Sequence, residues 1–425
     1  MNILFLTAEL TDSATGYCAK LVAEELAKRG HIVHIVSAYS EEKESVECDG
    51  HLFVHEILGR RVKQLKTLCL KSSNSIIKRF GVLLTLIHKL LVQIKGIFSI
   101  IPLFDDTSLL YRKAASIIDT HRVDLIIPVV NPRESIIAAN RLHKKYNVPY
   151  VPYYLDSIVG NIGFRILTKK WYIKRALKYE EKRVRDSKGI IMMQSIKGTY
   201  DNISLESYPY VSKISYLDIP LLTIQPKDPK EGNSVFLFDG QFSILFIGTM
   251  PNRVRDPRYV FHMADALAKD DIHFYFAGKS DYMNDLNELI DKNQNVHFLG
   301  QIEHSVIPNY VAEVDVLLNI GNSIKGMLPS KVFEYMSYQK PILSTIKHPN
   351  DLSIPYLKQY GAVHIIDETQ PLQKNIDETQ KFIQQVRSGE FLIKVSDLVK
   401  ENGALYSNTP TCFCEKVEAI MSYYL

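Results

Sequence analysis

A short motif at residues 329–334 combines the side chains that a phosphorylated ligand requires. It reads PSKVFE and follows the apolar run DVLLNIGN, so we expect a helix to begin at Pro329 and Ser330. The amides of a first helical turn carry partial positive charge, and Lys331 adds a full charge that attracts phosphate. Glu334 lies almost one turn away on the same face and can accept hydrogen bonds from a ribose diol. The motif predicts a nucleotide clamp. The alternative is a helix cap at Ser330 beside a solvated ion pair between Lys331 and Glu334.

Two arginines follow another apolar run, in the stretch FIGTMPNRVRDP at residues 246–257. A guanidinium offers five donors in a planar fork, so Arg255 can hold a diphosphate at two points. The same charge would stabilise a departing diphosphate, and Arg253 can assist. The alternative is a pair of solvated arginines in an exposed turn.

The N-terminal half contains two weaker candidates. Gly16, in a polar loop, either lets the backbone approach a phosphate or sugar or simply permits a turn before a helix. Asp156 ends the run YVPYYLD, where a carboxylate can orient a substrate hydroxyl or take its proton. An Asx-turn or a helix cap is the alternative for Asp156. We interpret Glu180 and Glu181 as structural.

The elements that must position these residues are apolar runs separated by helical stretches. In the first half the runs lie at residues 3–8, 31–38, 124–130, 150–155 and 189–193, and in the second half they begin at residues 243, 273, 295, 315, 341 and 362. Strand, helix and strand in succession predict parallel sheets. The predicted fold class is α/β, with two tandem Rossmann-like domains that face a central cleft.

The domain boundaries follow from composition. We predict an N-terminal domain at 1–222, interrupted by a basic amphipathic insertion at about 57–115, and a Pro- and Gly-rich linker at 223–241. A nucleotide-binding domain is predicted at 242–400. The helix predicted within 401–425 is expected to pack back on the N-terminal domain.

Length and composition exclude several classes of protein. The chain has 425 residues, 46% hydrophobic and 23% charged, which fits a globular protein with two cores. Its five cysteines are odd in number and scattered, so a disulfide framework or a zinc site is not expected. The N-terminal stretch carries neither a basic leader nor a cleavage signal, which predicts a cytoplasmic protein.

A basic and apolar segment lies between Ile57 and Phe104, where no acidic residue occurs. Charged residues interrupt every window long enough to span a bilayer, so the segment predicts an interfacial helix at a membrane. The predicted membrane or acceptor patch consists of Arg60, Arg61, Lys78, Arg79, Lys89, Lys95 and Trp171. The alternative is a packed helical hairpin whose charges are solvated on one face. Nucleic acid is not expected as a partner, because no recognised nucleic-acid module accompanies the charge.

The stretch GMLPSKVFEYMSYQKP resembles the donor-binding helix of the retaining family 4 glycosyltransferases, which have the GT-B fold. This resemblance implies that Glu334 binds the donor ribose, while Ser330 and Lys331 meet the diphosphate. It also implies that Arg255 is the basic phosphate-binding residue. The backbone from Gly300 to Ile302 would face the nucleobase.

The sequence departs from the family pattern at two positions. Gly326 stands where the family often has a first glutamate, and Thr249 stands where it frequently has an arginine. In the first domain no histidine follows the run DLIIPVV, where many relatives have one.

The resemblance implies an enzyme that moves a sugar from a nucleotide-sugar donor to a lipid-linked saccharide acceptor, with retention at the anomeric carbon. Arg255, Lys331 and Asp156 are its expected catalytic residues, and no metal or other cofactor is expected. It would act at the inner face of the plasma membrane, in synthesis of a cell-surface polysaccharide such as a capsule or exopolysaccharide. The alternatives are a nucleotide-sugar epimerase or hydrolase of the same fold, a non-catalytic scaffold, and a peripheral membrane adaptor.

Overall fold

The structure is a computed structural model, and the chain forms two units. The structure describes residues 1–7, 10, 14–39, 46–48, 50–59, 61–98, 106–130, 133–159, 169–201, 203–223, 241–268, 271–303, 306–324, 328–391 and 393–423. Unit 1 comprises Met1–Pro220 and Pro410–Leu425, and unit 2 comprises Leu221–Thr409. The linker predicted at 223–241 lies, apart from its two end residues, outside the described residues.

Unit 1 contains a largely parallel sheet. Its strands are β1 (Asn2–Thr7), β2 (Ile32–Tyr39), β3 (Val46–Cys48), β4 (Leu52–Leu58), β5 (Leu125–Val130), β6 (Tyr153–Tyr154), β7 (Ile190–Met193) and β8 (Ile214–Leu217). Their order is β3-β4-β2-β1-β5-β6-β7-β8, and only the edge strand β3 pairs antiparallel with its described neighbour. The central strands are covered on both faces, which explains why β1 and β5 are nearly continuous apolar runs.

Helices cover the sheet of unit 1 on both faces. The covering helices are α1 (Ala14–Lys28), α4 (Thr107–Thr120), α5 (Arg133–Tyr146) and α6 (Lys169–Val184). Between β4 and α4 the chain also forms α2 (Arg61–Lys71) and α3 (Ser75–Phe98). Val22 of α1 packs with Phe5 on one face, and Leu110 of α4 packs with Leu4 on the other. Each such buried side chain stabilises the fold by about 1.5–3 kcal/mol relative to exposure.

The start of α1 corrects one prediction. The helix begins at Ala14, so Gly16 lies in its first turn and is buried there, rather than in the predicted loop. The first N–H groups of a helix need no intrahelical partner, so the helix can begin before the glycine. Gly30 ends this stretch with φ 86°, as predicted, and the N–H of His31 reaches back to the carbonyl of Leu26.

The helices α2 and α3 form a hairpin, called the helical hairpin below. They approach closely at Gly81, where an added β carbon would lie 2.8 Å from the β carbon of Cys69. None of the described helices is long and apolar enough to cross a membrane.

Unit 2 contains a parallel sheet whose six strands all coincide with predicted apolar runs. They are β9 (Phe242–Ile247), β10 (Ile272–Ala277), β11 (Val296–Phe298), β12 (Val316–Asn319), β13 (Ile342–Ile346) and β14 (Val363–Asp367). Their order, β11-β10-β9-β12-β13-β14, is the one found in doubly wound nucleotide-binding folds. The prediction of two α/β domains with parallel sheets is therefore confirmed.

Helices alternate with these strands along the chain of unit 2. They are α7 (Arg258–Leu267), α8 (Met283–Lys292), α9 (Ile307–Glu313), α10 (Lys331–Ser337), α11 (Ile354–Tyr360), α12 (Leu372–Arg387) and α13 (Val395–Val399). Phe261 of α7 stands edge-on to Phe276 of β10 with ring centroids 5.4 Å apart, and Phe382 of α12 belongs to the same core. Aromatic contacts of this kind add about 0.5–1.5 kcal/mol beyond the buried area.

The last helix, α14 (Pro410–Ser422), lies in unit 1 and packs on α1. Arg29 and Glu418 form an ion pair at 2.7 Å, and Thr411 donates to Glu25 at 3.0 Å. Residues at the two ends of the sequence therefore share one core.

Candidate active site

The carboxyl ends of β9 and β12 lie side by side in unit 2. These strands are neighbours in the sheet although β10 and β11 separate them in the chain, because the strand order reverses between them. In open parallel sheets, ligands bind beyond the carboxyl ends of the strands at such a reversal. Residues 248–257, which follow β9, are called the arginine loop below. They place Arg255 at this point of the sheet.

Neutral oxygens hold the guanidinium of Arg255. Its Nη1 donates to the backbone carbonyl of Thr249 at 3.0 Å, and its Nη2 donates to Oδ1 of Asn322 at 3.3 Å. Thr249, noted above as a departure from the family pattern, thus contributes through its backbone. Within the described part of the chain, no carboxylate pairs with this guanidinium.

The surroundings of Arg255 favour binding of an anion. The residue is half-buried, and its Nε has no hydrogen-bond partner among the described residues. Burial lowers the pKa of Arg255 from its ordinary value, because the charged form loses hydration. Arginine nevertheless stays protonated in proteins. A partly desolvated cation held by neutral oxygens gains strongly from a phosphate, which supplies both charge and hydrogen-bond acceptors.

The motif at 329–334 forms the start of α10, as predicted. Ser330 occupies the N-cap position, but its hydroxyl makes no capping hydrogen bond, so the capping alternative is not supported. Nζ of Lys331 donates to Oε2 of Glu334 at 2.7 Å. The two side chains are only 25% and 13% exposed, so the pair is half-buried rather than solvated.

Tyr335 connects this motif to the end of β9. Its hydroxyl accepts from the N–H of Ile247 at 3.1 Å and donates to the carbonyl of Ile247 at 3.0 Å. Burial raises the pKa of the Tyr335 phenol, so it remains a neutral hydrogen-bonding group. The phenol lies within electrostatic reach of both Arg255 and Glu334. The structure therefore brings these two predicted donor-binding residues to the same edge of the sheet.

The other predicted donor-binding residues of unit 2 lie on neighbouring loops. Arg253 is exposed and has φ 64°, a left-handed conformation that is uncommon for residues other than glycine. Gly300 follows β11, and its carbonyl accepts from the N–H of Gly278 at 2.7 Å, while Ile302 is half-buried. Their contacts with a donor stay predictions.

The unit 1 candidates belong to a different sheet. Asp156 is exposed and lies two residues beyond β6, at the carboxyl edge of the sheet, whereas Gly16 is buried in α1. The roles assigned to both residues stay predictions. Gly326 lies outside the described residues.

The predicted membrane patch falls largely on the helical hairpin. Lys78 and Arg79 are exposed on α3, and Trp171 of α6 is 42% exposed. The guanidinium of Arg175 lies 4.6 Å from the centroid of the Trp171 ring. Of the other members, Arg61 lies in α2, Lys89 and Lys95 lie in α3, and Arg60 lies outside the described residues.

Sequence reasoning missed the residues that hold the site together. Asn322 and Tyr335 contact residues 67 and 88 positions away in the chain, so their partners are not evident from local spacing. The one local signal is position, since Tyr335 directly follows Glu334 and Asn322 closely follows β12.

Known proteins resemble this chain in sequence and in fold. Residues 241–356 match the family described as "Glycosyl transferases group 1", and this segment contains both the arginine loop and α10. A sequence search of curated proteins finds no match.

Solved structures extend the likeness over nearly the whole chain. HepE of Anabaena, in complex with UDP and glucose, has a TM-score of 0.57 at 12% identity, covering 99% of both chains. Sucrose-phosphate synthase from Thermosynechococcus elongatus has a TM-score of 0.56 at 11% identity, covering 91% of this chain and 90% of its own. WaaG, a glycosyltransferase involved in lipopolysaccharide biosynthesis, has a TM-score of 0.51 at 13% identity, covering 91% and 92%.

The fold is therefore that of the GT-B glycosyltransferases. The group 1 match over the site-bearing segment indicates that the protein is a glycosyltransferase.

Proposed function

We propose that the protein transfers a sugar from a nucleoside diphosphate donor to a lipid-linked saccharide, with retention at the anomeric carbon. The observation that carries this proposal is the guanidinium of Arg255, half-buried at the strand reversal and held only by neutral oxygens within the described residues. HepE, a fold relative, was solved with UDP and glucose, which makes UDP the first nucleotide to test.

In the proposed reaction the bond between the anomeric carbon and the diphosphate breaks, and a bond to the acceptor oxygen forms. Negative charge builds on the departing diphosphate, and Arg255 with Lys331 would stabilise it by charge and hydrogen bonding. Glu334 would hold the donor ribose. Because the configuration is retained, the acceptor oxygen would attack from the face that the diphosphate leaves, and Asp156 would orient the acceptor hydroxyl or receive its proton. The donor contacts are all supplied by protein groups, and the proposal includes no metal.

The helical hairpin supports an acceptor at a membrane. Successive residues of a helix are rotated by about 100°, so positions three or four apart share one face. On α3 one such face carries large apolar side chains that are 45–74% exposed: Ile76, Phe80, Leu83, Ile87 and Leu90. The side that meets α2 is different, because it carries the buried Gly81.

Charge indicates which partner would cover this apolar face. The exposed Arg79 lies beside it, and the sequence contains no acidic residue between Ile57 and Phe104. A basic and apolar helix of this kind fits the interface of an anionic membrane, where apolar side chains enter the lipid and cations meet the headgroups. We propose that the protein acts at the inner face of the plasma membrane, in the synthesis of a cell-surface polysaccharide such as a capsule or exopolysaccharide.

Turnover tests the proposed reaction. Purified protein is incubated with a panel of UDP-sugars, with and without a lipid extract that contains saccharide-linked carriers. We expect UDP release and a labelled lipid product only when both substrates are present. Sugar consumption without an acceptor would favour the epimerase or hydrolase alternative, and no consumption with any donor would favour a non-catalytic scaffold.

Vesicle sedimentation tests the membrane proposal separately. We expect binding to anionic vesicles that weakens with salt, and a several-fold loss of binding in Leu83→Glu. The matched control is Leu205→Glu, because Leu205 is 55% exposed in unit 1 but lies away from the hairpin, and Leu83 is 51% exposed. Equal losses in the two variants would reject the hairpin as the membrane contact.

A further inference from the structure

The arginine loop carries Arg255, so its conformation decides where the guanidinium lies. Three backbone hydrogen bonds at this edge restrain the loop. The N–H groups of Val254 and Arg255 both donate to the carbonyl of Pro251, at 3.2 and 3.0 Å, and the carbonyl of Val254 accepts from the N–H of Ser323 at 2.7 Å. None of these hydrogen bonds involves the carbonyl of Asp256, the residue that follows Arg255.

Lys347 contacts that carbonyl. It directly follows β13, and its Nζ donates to the backbone carbonyl of Asp256 at 2.8 Å. The same Nζ forms an ion pair with Glu368, which directly follows β14. Three loops at the carboxyl edge of the sheet, those after β9, β13 and β14, are therefore joined at one ammonium group.

This ammonium group is unusually sheltered for a lysine. The side chains of Lys347 and Glu368 are only 13% and 11% exposed. Lysine and glutamate are rarely buried unless they are paired, and a buried pair stabilises little by itself because both charges lose hydration. Because the pair of Lys347 and Glu368 contributes little to stability, we explain it by the loop conformation that it maintains.

The side chain of Asp256 is engaged elsewhere. Its carboxylate binds the exposed Arg258, with Nε of Arg258 at 3.0 Å from Oδ1. Lys347 thus acts on the backbone of the arginine loop, one residue beyond Arg255. The neighbouring His348 makes a further contact at the carboxyl edge of the sheet, since its Nε2 lies 3.2 Å from the carbonyl of Ser323.

We propose that Lys347, paired with Glu368, is a positioning residue that fixes the arginine loop at Asp256 and so orients Arg255 toward the donor diphosphate. The proposal rests on the donor role proposed for Arg255. Lys347 does not contact the donor in this account, because its ammonium group bonds the carbonyl of Asp256 and the carboxylate of Glu368.

A matched control lies at the other end of the same strand. Lys340 precedes β13, and its Nζ donates to the carbonyls of Ala312 and Val314 at 2.9 and 2.8 Å. It is also a lysine that bonds backbone carbonyls, but it lies at the amino edge of the sheet, away from the arginine loop. Lys340→Met should therefore report the structural cost of losing such a lysine without moving Arg255.

The first readout is independent of activity. We compare amide hydrogen exchange at residues 252–256 in the wild type, Lys347→Met, Lys347→Arg and Lys340→Met. We expect exchange to rise at least tenfold at Val254 and Arg255 in Lys347→Met, to be partly restored in Lys347→Arg, and to be unchanged in Lys340→Met. Unchanged exchange in Lys347→Met would overturn the proposal, whatever the protein catalyses.

The second readout tests coupling to Arg255. We expect Lys347→Met to lower kcat/KM for the donor ten- to hundredfold, Lys340→Met to lower it less than twofold, and Lys347→Met to cause no further loss in an Arg255→Ala background. Losses that multiply in that background would overturn the proposal. If the wild type neither binds nucleotide nor turns over a donor, the proposed function itself fails. The exchange data still test whether Lys347 restrains the arginine loop, so the two failures can be told apart.

A double variant covers the case in which Lys347→Met does not fold because Glu368 is left as an unpaired buried charge. Lys347→Met combined with Glu368→Leu removes both charges and still leaves the Asp256 carbonyl without its donor. We expect this variant to fold and to show the same rise in exchange at residues 252–256. Wild-type exchange in a folded double variant would overturn the proposal.

Discussion

The arginine loop of unit 2 and the helical hairpin of unit 1 are both rich in cations, but they hold them differently. Arg255 is half-buried and bonded to a carbonyl and an amide oxygen, and the loop is tied to its neighbours by backbone contacts. Lys78 and Arg79 of the hairpin are exposed, beside exposed apolar side chains. A sheltered, oriented cation suits recognition of one anion, whereas exposed cations suit a surface that many lipids can satisfy.

The sharpest test of this contrast is removal of the sheltered cation. Arg255→Ala should lower kcat about 10²- to 10³-fold, equivalent to about 3–4 kcal/mol, because the departing diphosphate loses its oriented donors. Steady-state kinetics with the best UDP-sugar measures this loss. Arg253→Ala is the comparison, and because Arg253 is exposed we expect a loss below tenfold. Equal losses would mean that burial does not distinguish the two arginines.

Burial should also govern the pH dependence of stability, and a histidine pair in unit 1 tests this. Nδ1 of His34 lies 3.1 Å from Nε2 of His55, and burial lowers the pKa of each to about 4 from an ordinary 6.5. The neutral forms therefore stabilise the fold above pH 6.5, and this stability is lost as the pH falls toward 4. We expect His34 to lower the free energy of unfolding by about 2 kcal/mol when the pH falls from 7.5 to 4.5, as measured by urea melts.

The control for the pH prediction is His34→Gln, which cannot acquire a charge. Its stability should change less over the same pH interval than that of the wild type. The same slope in both proteins would show that the acid sensitivity arises elsewhere.

Removal of Glu334 from the nucleotide clamp on α10 should have a smaller effect than removal of the Arg255 side chain. Glu334→Ala should weaken UDP binding about tenfold, equivalent to about 1.4 kcal/mol, since it removes a charged acceptor for the ribose and leaves Lys331 without that carboxylate. Competition between UDP and uridine monophosphate distinguishes its role, because a ribose contact should affect both nucleotides alike. A loss confined to UDP would instead assign Glu334 to the diphosphate through Lys331.

The hairpin should show the smallest effect on stability. Leu86 is 57% exposed, so Leu86→Ser should change the free energy of unfolding by no more than about 0.5 kcal/mol. Urea melts of the wild type and Leu86→Ser measure it. A loss above 2 kcal/mol would mean that α3 is packed at Leu86 in solution and is not available to a membrane there.

Much of the fold follows from the sequence because buried parallel strands are simple patterns. All six strands of unit 2 coincide with apolar runs, and the start of α10 is marked by Pro329 and Ser330. The strands that escaped prediction are β3, β4 and β8, which are short or only half-buried and therefore lack a continuous apolar run.

The candidate site was only partly predictable. Residue type, spacing and the family resemblance single out Arg255 and Glu334, but several groups at the same edge of the sheet contact residues far away in the chain. Tyr335 bonds the backbone of Ile247, and Lys347 bonds the carbonyl of Asp256. A backbone acceptor is present at every position, so it leaves no mark in the sequence that would identify such a partner.

The most direct test of the account is titration calorimetry with UDP, GDP and ADP on the wild type, Arg255→Ala, Glu334→Ala and the control Lys340→Met. The account predicts that one nucleotide, UDP first, binds the wild type and Lys340→Met with equal affinity and binds both site variants at least tenfold more weakly. Binding of no nucleotide to the wild type, or affinities unchanged by Arg255→Ala and Glu334→Ala, would contradict a donor site at the carboxyl ends of β9 and β12.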